Sequence, residues 1–559
     1  MIRERFGYLT LIVLIVLSGC GGGSSPAPTP LTPAPPAQPT RAEAFQFLEQ
    51  ATFGPTESEI NAVISLGFEG WIDKQIEQPA SLQLPYLESL ERPNNLRQLQ
   101  DERVGIWFRN AIQEPDQLRQ RVAFSLSEVM VVSEIGALRD ATYSLASYYD
   151  MLSRNAFGNF RDLIEDVTLH PAMGVYLSML GNEKPNPKKN IRPDENYARE
   201  MMQLFTIGLV QLNIDGTEKL DSEGKPLPTF DQEIVEGFAH VYTGWNYADA
   251  TSFGKAKRDD ANQIKAMQLY SNKHDQEPKM LLNGITLPAG QSGTQDLNSA
   301  LDNVFQHSNV GPFIAKRLIQ RLVTSNPSPA YVVRIAATFN DNGQGVRGDL
   351  EAVIKKILLD AEARPSSETN ISGKLKEPLL RVTQLWRAYN AETPNDDYRF
   401  YYCYSGGSCA NSLSAREPYI VFGQGPLQSP SVFNFFSPFY APSGTIQNSE
   451  FVAPEFQIAT EYQNTHLTNF FFSQIFLLNS QTPGLKNRDV YIDIDEEILL
   501  AGNTTTLINK VADKLLAGNI SGTLTSQVGT LLEQIPASNA EERAATVIYL
   551  IASSPEFAR

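Results

Sequence analysis

Thr40 to Ile76 reads TRAEAFQFLEQATFGPTESEINAVISLGFEGWIDKQI. Phe45, Leu48, Ala51 and Thr52 recur at intervals of three and four, the spacing that lines one face of an α-helix. Thr56 followed by Glu59 is the sequence signature of a capping box, in which a hydroxyl and a carboxylate each take up an orphan amide of the first helical turn. A second amphipathic run extends from Glu57 to Ile76. The stretch therefore predicts two successive helices.

The same periodicity continues outward along the chain. Residues 95 to 154 predict two or three helices, with apolar positions at Val104, Trp107, Phe108, Ile112, Val122, Phe124, Leu126, Val129 and Met130. Segments 156–182, 194–208, 231–244, 297–325, 328–340, 347–362 and 374–391 read alike, and two or three further helices follow from Glu496. Alternating patterns are short, the clearest lying at 211–214, 279–287 and 490–494. Residues 392 to 465 differ, being rich in Tyr, Phe, Gly, Pro and Ser; a stretch so long and irregular is expected to be functional or to lie across the main body as a cover. No internal repeat is visible. The expected fold is mainly α: a large multi-helical single domain spanning 41–559, with few short strands and one long irregular aromatic segment.

The N-terminus has another character. Arg3 and Arg5 precede an apolar run from Leu9 to Leu17, and Leu17-Ser18-Gly19-Cys20 follows, the layout of a secretory signal over residues 1–20. That run is about ten residues, half of the roughly 20 needed to span a bilayer. The small residues before Cys20 resemble the bacterial lipobox, which implies acylation of the Cys20 thiol. At about 0.8 kcal/mol per buried CH₂, several acyl chains would hold the protein on a membrane durably. The lipid bilayer is thus the first expected partner, and the Gly21-Gly22 start, which lacks an inner-membrane retention aspartate, implies an extracytoplasmic location on the outer membrane. Residues 21–40, composed of Gly, Ser, Pro, Ala and Thr, read as a tether that extends on the order of 60 Å at polyproline rise.

The remaining cysteines, Cys403 and Cys409, flank a five-residue loop, and in an oxidising compartment they are expected to form a disulfide contributing roughly 2 kcal/mol. A formal charge of −17 argues against a nucleic-acid partner, which demands clustered Lys and Arg.

Several landmarks occur in order: Phe47-Leu48-Glu49-Gln50-Ala51-Thr52-Phe53-Gly54-Pro55-Thr56, His170-Pro171-Ala172-Met173, Glu195-Asn196-Tyr197-Ala198-Arg199-Glu200 and Leu204-Phe205-Thr206-Ile207-Gly208. Thr243-Gly244-Trp245, His274-Asp275 with Lys279, Lys376-Glu377-Pro378 with Arg381, Gly423-Gln424-Gly425-Pro426 and Pro430-Ser431-Val432 follow. Together they resemble the bacterial "domain of unknown function 1800" family over about residues 41 to 559. Gln203 and His240 depart from that pattern, standing where a glutamate and an arginine are usual. The resemblance implies a large secreted domain and no established reaction.

The densest chemistry lies on the helix expected from Asp194, its N-cap, to Gly208, its stop. Glu195 and Arg199 share one face, as do Asn196 and Glu200. A bland reading makes Glu195–Arg199 an ordinary ion pair. A sharper one makes Glu195 or Glu200 a base, with Arg199 for charge, His274 oriented by Asp275, and Asn196, Trp245, Lys279 and Tyr401 as binding residues. Carboxylate and imidazole together suit a divalent transition metal, for which His170, Glu200 and His274 are the candidate ligands. No Gly-x-Ser-x-Gly elbow, Gly-rich phosphate loop or haem-attachment motif is present. Aromatic residues at 398–404 and 433–436 would line a groove for a sugar polymer or peptide, or pack the cover onto the body. Two function classes follow: a metal-assisted hydrolase of the cell envelope, or a non-catalytic envelope protein that binds a partner protein or glycan.

Overall fold

The helices at 41–76 form where the apolar spacing places them, Arg41–Ala51 and Glu57–Ile76. Thr40 and Thr56 cap them through their hydroxyls, and Phe45, Phe47, Leu48, Ile60, Val63, Trp71 and Ile72 turn inward. The structure is a computed structural model and describes residues 38–91, 96–364, 373–393, 398, 418–482 and 490–559.

From Pro39 onward the chain is one compact, mainly helical unit. Helices pack as neighbours in sequence: Gln117–Ser127 on Thr142–Arg154, Val310–Leu322 on Pro329–Asn340, and the latter on Leu350–Leu359. Thr504–Leu516 packs on Ala540–Ala552 near the C-terminus. Trp107 sits at the centre, edge-on to Phe53 and Phe108, with its indole N–H donating to the Tyr149 hydroxyl at 2.9 Å. Trp386 meets Phe108 and donates to Gln474 Oε1 at 2.9 Å, so both indoles bury large apolar surfaces with their polar atoms satisfied. Burial of side chains of this kind contributes roughly 1.5–3 kcal/mol each.

Strands among the described residues form two antiparallel pairs, Trp245–Asn246 with Gln268–Leu269 and Lys279–Met280 with Thr286–Leu287. The second pair falls within the expected 279–287 strand region; the first has too few residues for a period to show. The helix Gln232–Val241 lies directly on Lys279–Met280. Contact there is so close that a Cβ on Gly237 would come within 1.8 Å of the Met280 carbonyl oxygen. Expected segment 297–325 resolves into two helices, Gly293–Phe305 and Val310–Leu322, broken where the Asn309 amide serves Leu212, Ile207 and Val210 of a neighbouring loop.

The described part of the irregular segment, 418–465, is tied onto this body. Ser133 donates to the Ser429 carbonyl at 2.7 Å, and buried Arg103 bridges Glu134 and the Pro426 carbonyl. It therefore acts as a cover rather than an independent module. Among the described residues, no helix is long and apolar enough to cross a membrane.

Candidate functional site

In the segment expected as a helix at 194–208 the N-cap is Glu195 rather than Asp194, whose carboxylate nonetheless accepts the Asn196 N–H at 2.9 Å, and the helix runs as Asn196–Glu200. It then widens into a π-helical turn, Met201–Thr206. Thr206 donates back to the Met201 carbonyl at 2.7 Å, and Gly208, at φ +75°, ends the element. π-turns often accompany functional sites. Here the turn follows Glu200, whose Oε2 is buried without a hydrogen-bond partner, and burial pushes that carboxyl above the usual range against the pull of Arg199. Glu195 and Arg199 form a 2.9 Å ion pair completed by Gln232, which donates to Glu195 and accepts from Arg199. That group is half-exposed, and Asn196 is exposed beside it.

A second network centres on His274. Its Nε2 faces Asp296 Oδ2 at 2.9 Å, and its Nδ1 faces the Thr243 carbonyl at 3.0 Å. Lys279 donates to the same Asp296 oxygen at 2.8 Å and to the Glu277 carbonyl at 2.8 Å. Burial tends to raise the Asp296 carboxyl, but the hydrogen bonds from His274 and Lys279 hold it below the usual carboxylate range. Asp275 points elsewhere: it pairs with His240 Nδ1 and accepts the Glu277 N–H at 3.0 Å. Burial works against its ionised form, yet these bonds bring it down to about 2. The Asp275 N–H donates to the Thr243 hydroxyl at 2.9 Å, which links the two histidine pairs.

These placements correct several expectations. His274 is oriented by Asp296, not by its neighbour Asp275, because adjacent side chains on this loop point apart. Both of its ring nitrogens are taken up by oxygens of neighbouring residues, Asp296 on one side and Thr243 on the other. His170 is a helix cap: its Nδ1 accepts the Ala172 N–H at 3.1 Å, its Nε2 faces Ser147, and burial lowers it to about 3. His170, Glu200 and His274 thus do not make a metal centre, and the described residues hold no group of three or more His, Cys, Asp or Glu placed to bind one. No hydrogen bond or ion pair joins Glu200 to His274 or Asp275. Trp245, expected as a binding residue, is buried in its strand with its indole N–H unpartnered. Lys279 is buried and serves Asp296, so it is not available to a ligand. Cys20, Tyr401, Cys403 and Cys409 lie outside the described residues.

A concave feature lies elsewhere among the described residues. A groove of about 1400 Å³ runs between the first helix, the end of Val310–Leu322 with the loop after it, and the cover at 438–452. Phe439, 69% exposed, lines it, with Gln46 and Asn519 as exposed amides and Lys316 on its wall. Beneath the groove is a buried ionic cluster. Lys374 bonds Glu377 at 3.0 Å and Glu455 at 3.2 Å, Gln424 donates to Glu377 at 2.6 Å and to Glu128 at 3.2 Å, and Arg321 faces Glu128 at 3.4 Å. Burial drives the Glu128 carboxyl up, whereas Lys374, Arg321 and Arg121 overcome burial at Glu377 and hold it down.

The sequence matches the family described as protein of unknown function (DUF1800) over residues 46–559. The chain belongs to this family. No curated protein and no solved structure matches it. The landmarks noted in its sequence now have places. Lys376-Glu377-Pro378 and Gly423-Gln424-Gly425-Pro426 meet in the buried cluster, where the Leu379 N–H reaches Gln424 Oε1 at 3.2 Å. Thr243-Gly244-Trp245 and His274-Asp275 meet in the imidazole network. Asp296, Arg317 and Gln424 were given no role from sequence. Arg317 and Arg321, four apart on one helix, carried the one visible signal, a paired cationic face.

Proposed function

We propose that this chain is a lipid-anchored protein of the cell envelope whose groove binds a glycan without chemical turnover. The observation that carries this reading is the groove of about 1400 Å³ with Phe439 exposed on its wall. A sugar ring presents C–H groups to an aromatic face and hydroxyls to amides, and Phe439 beside Gln46 and Asn519 supplies both. A peptide taken as an added strand would need an unpaired strand edge, and neither described strand pair lines this groove. An enzyme of the expected type would gather its carboxylates and imidazoles in one pocket. Instead Glu195–Arg199 pairs with Gln232, while His240–Asp275 and His274–Asp296 form a second network of their own.

The anchor is supported by Leu17-Ser18-Gly19-Cys20 after an apolar run. A Cys20→Ser variant moves from the membrane fraction to the soluble fraction; retention of the variant on membranes contradicts acylation at this thiol. For the groove, affinity electrophoresis against a panel of bacterial and plant polysaccharides should find at least one that retards the protein. Phe439→Ala then weakens that binding about tenfold, the loss of one aromatic contact of about 1.4 kcal/mol. Retardation by none of the panel, or an unchanged affinity in the variant, contradicts the reading.

A further inference from the structure

The cover is fastened to the body through buried polar groups. Gln424 offers one amide nitrogen to two carboxyls of the body, Glu377 Oε2 at 2.6 Å and Glu128 Oε1 at 3.2 Å, while its own oxygen accepts the Leu379 N–H. Asn434 brings a second amide to Glu128 Oε1 at 3.4 Å, and Glu455 reaches from the cover to Lys374 at 3.2 Å and to Ser325. Glu128, Glu377 and Glu455 thus meet Lys374, Arg321 and Arg121 with almost no exposure to water. Arg103 and Glu134 hold the adjoining residues 426–428.

The cations are unevenly shared. Lys374 bonds Glu377 at 3.0 Å, and Arg321 and Arg121 also favour its charged form. Glu128 has one ion pair among the described residues, with Arg321 at 3.4 Å; its Oε2 makes no hydrogen bond, and that guanidinium also lies 4.6 Å from the Phe436 centroid. We propose that Glu128 is a proton latch for the cover: held neutral, it lets both carboxyls share the Gln424 amide, and on losing its proton it releases residues 424–436 from the body. An ionised Glu128 would set two negative charges on one amide nitrogen away from water, whereas a neutral one donates toward Glu377.

Burial is the main cause that raises the Glu128 carboxyl, to about 8, with Glu377 adding to it and Arg321 and Lys374 opposing it. Burial acts the same way at Glu377, but Lys374, Arg321 and Arg121 outweigh it. Tyr149, which also faces Glu128 and Arg121, is pushed up by burial and stays neutral. Released into water, Glu128 returns to the ordinary 4.5, so between that value and about 8 opening expels a proton to solvent. The contribution of the latch is fully present below about pH 4.5 and is lost as pH rises toward about 8, opening becoming up to about tenfold more favourable per pH unit. Phe439 and Val452 belong to the same cover and line the groove, so the latch also decides whether the groove keeps its outer wall. It does not depend on what occupies the groove.

Two amides of the body report the latch directly, because both donate to the cover: Glu134 N–H to the Leu427 carbonyl and Leu379 N–H to Gln424 Oε1. Their hydrogen–deuterium exchange is measured in the full chain in detergent at about pH 5.5 and about pH 7.5, corrected for the intrinsic amide rate. The latch predicts that their protection falls by about tenfold to a hundredfold between the two, while helix Thr504–Leu516 near the C-terminus keeps its protection. Glu128→Gln, which keeps the neutral shape, holds its protection at the higher pH. Equal protection of the two amides at both pH values in the parent overturns the latch, and needs no variant to do so. An equal loss throughout the chain, or the parent's slope persisting in folded Glu128→Gln, overturns it as well.

Discussion

Replacing Asp296 with Asn removes the charge at the centre of the imidazole network while keeping its shape. Lys279 and His274 Nε2 would then face at most a neutral amide oxygen in place of the carboxylate, with Lys279 keeping the Glu277 carbonyl and both side chains still buried at about 1% exposure. Removing one partner of a buried ionic set typically costs about 3–5 kcal/mol, because the remaining charge stays desolvated. The unit from Pro39 to Arg559 has about 520 residues, and an unfolding entropy of about 2.1 cal/mol/K per residue gives about 1.1 kcal/mol per degree if it melts cooperatively. The expected loss is therefore about 3–5 °C in melting temperature, read by near-UV circular dichroism. Adding Lys279→Met to the same chain restores part of the loss, since an apolar side chain leaves no unpaired ammonium. A melting temperature within about 1 °C of the parent would refute the argument that this network is structural, and would return His274 and Lys279 to candidacy as ligand-binding groups.

Gly237→Ala is expected to abolish soluble expression, because its Cβ would fall 1.8 Å from the Met280 carbonyl oxygen and the helix must move off the strand; normal yield of a folded variant contradicts that packing. Asp275, held at about 2, contributes stability that is present above the ordinary carboxylate value of 3.8 and lost as pH falls through the folded value. The stability gap between the parent and Asp275→Asn should therefore shrink between about pH 5 and about pH 2 in urea titrations, and a gap independent of pH contradicts the assignment.

The helical architecture was legible because burial leaves a mark of period 3.6: Phe45, Leu48 and Ala51 face the core as their spacing requires, and Thr56 caps the second helix with the hydroxyl its sequence offers. The π-turn after Glu200 was not, since Met201 to Thr206 has the same apolar spacing whether the ladder closes at four residues or five. Asp296 was hidden for a different reason. It stands in the first turn of a helix capped by Ser292, where an acidic residue is ordinarily a solvent-exposed complement to the helix dipole. Only tertiary packing brings it against Lys279, which lies in the strand region expected at 279–287. His274-Asp275 suggested a dyad by adjacency, yet backbone alternation on the loop sends the two side chains to Asp296 and His240 respectively. The groove was the least legible feature, as Gln46, Lys316, Phe439 and Asn519 come from segments 80 or more residues apart and carry no shared motif.

The most direct test of the glycan reading is hydrogen–deuterium exchange of the full chain with and without the polysaccharide that retards it best. A ligand in the groove slows exchange at 323–328, 438–439 and 450–452, which line it, and leaves the imidazole network around 240–246 and 274–280 unchanged. Protection confined to that network, or absent from both groove segments despite binding, would contradict the account.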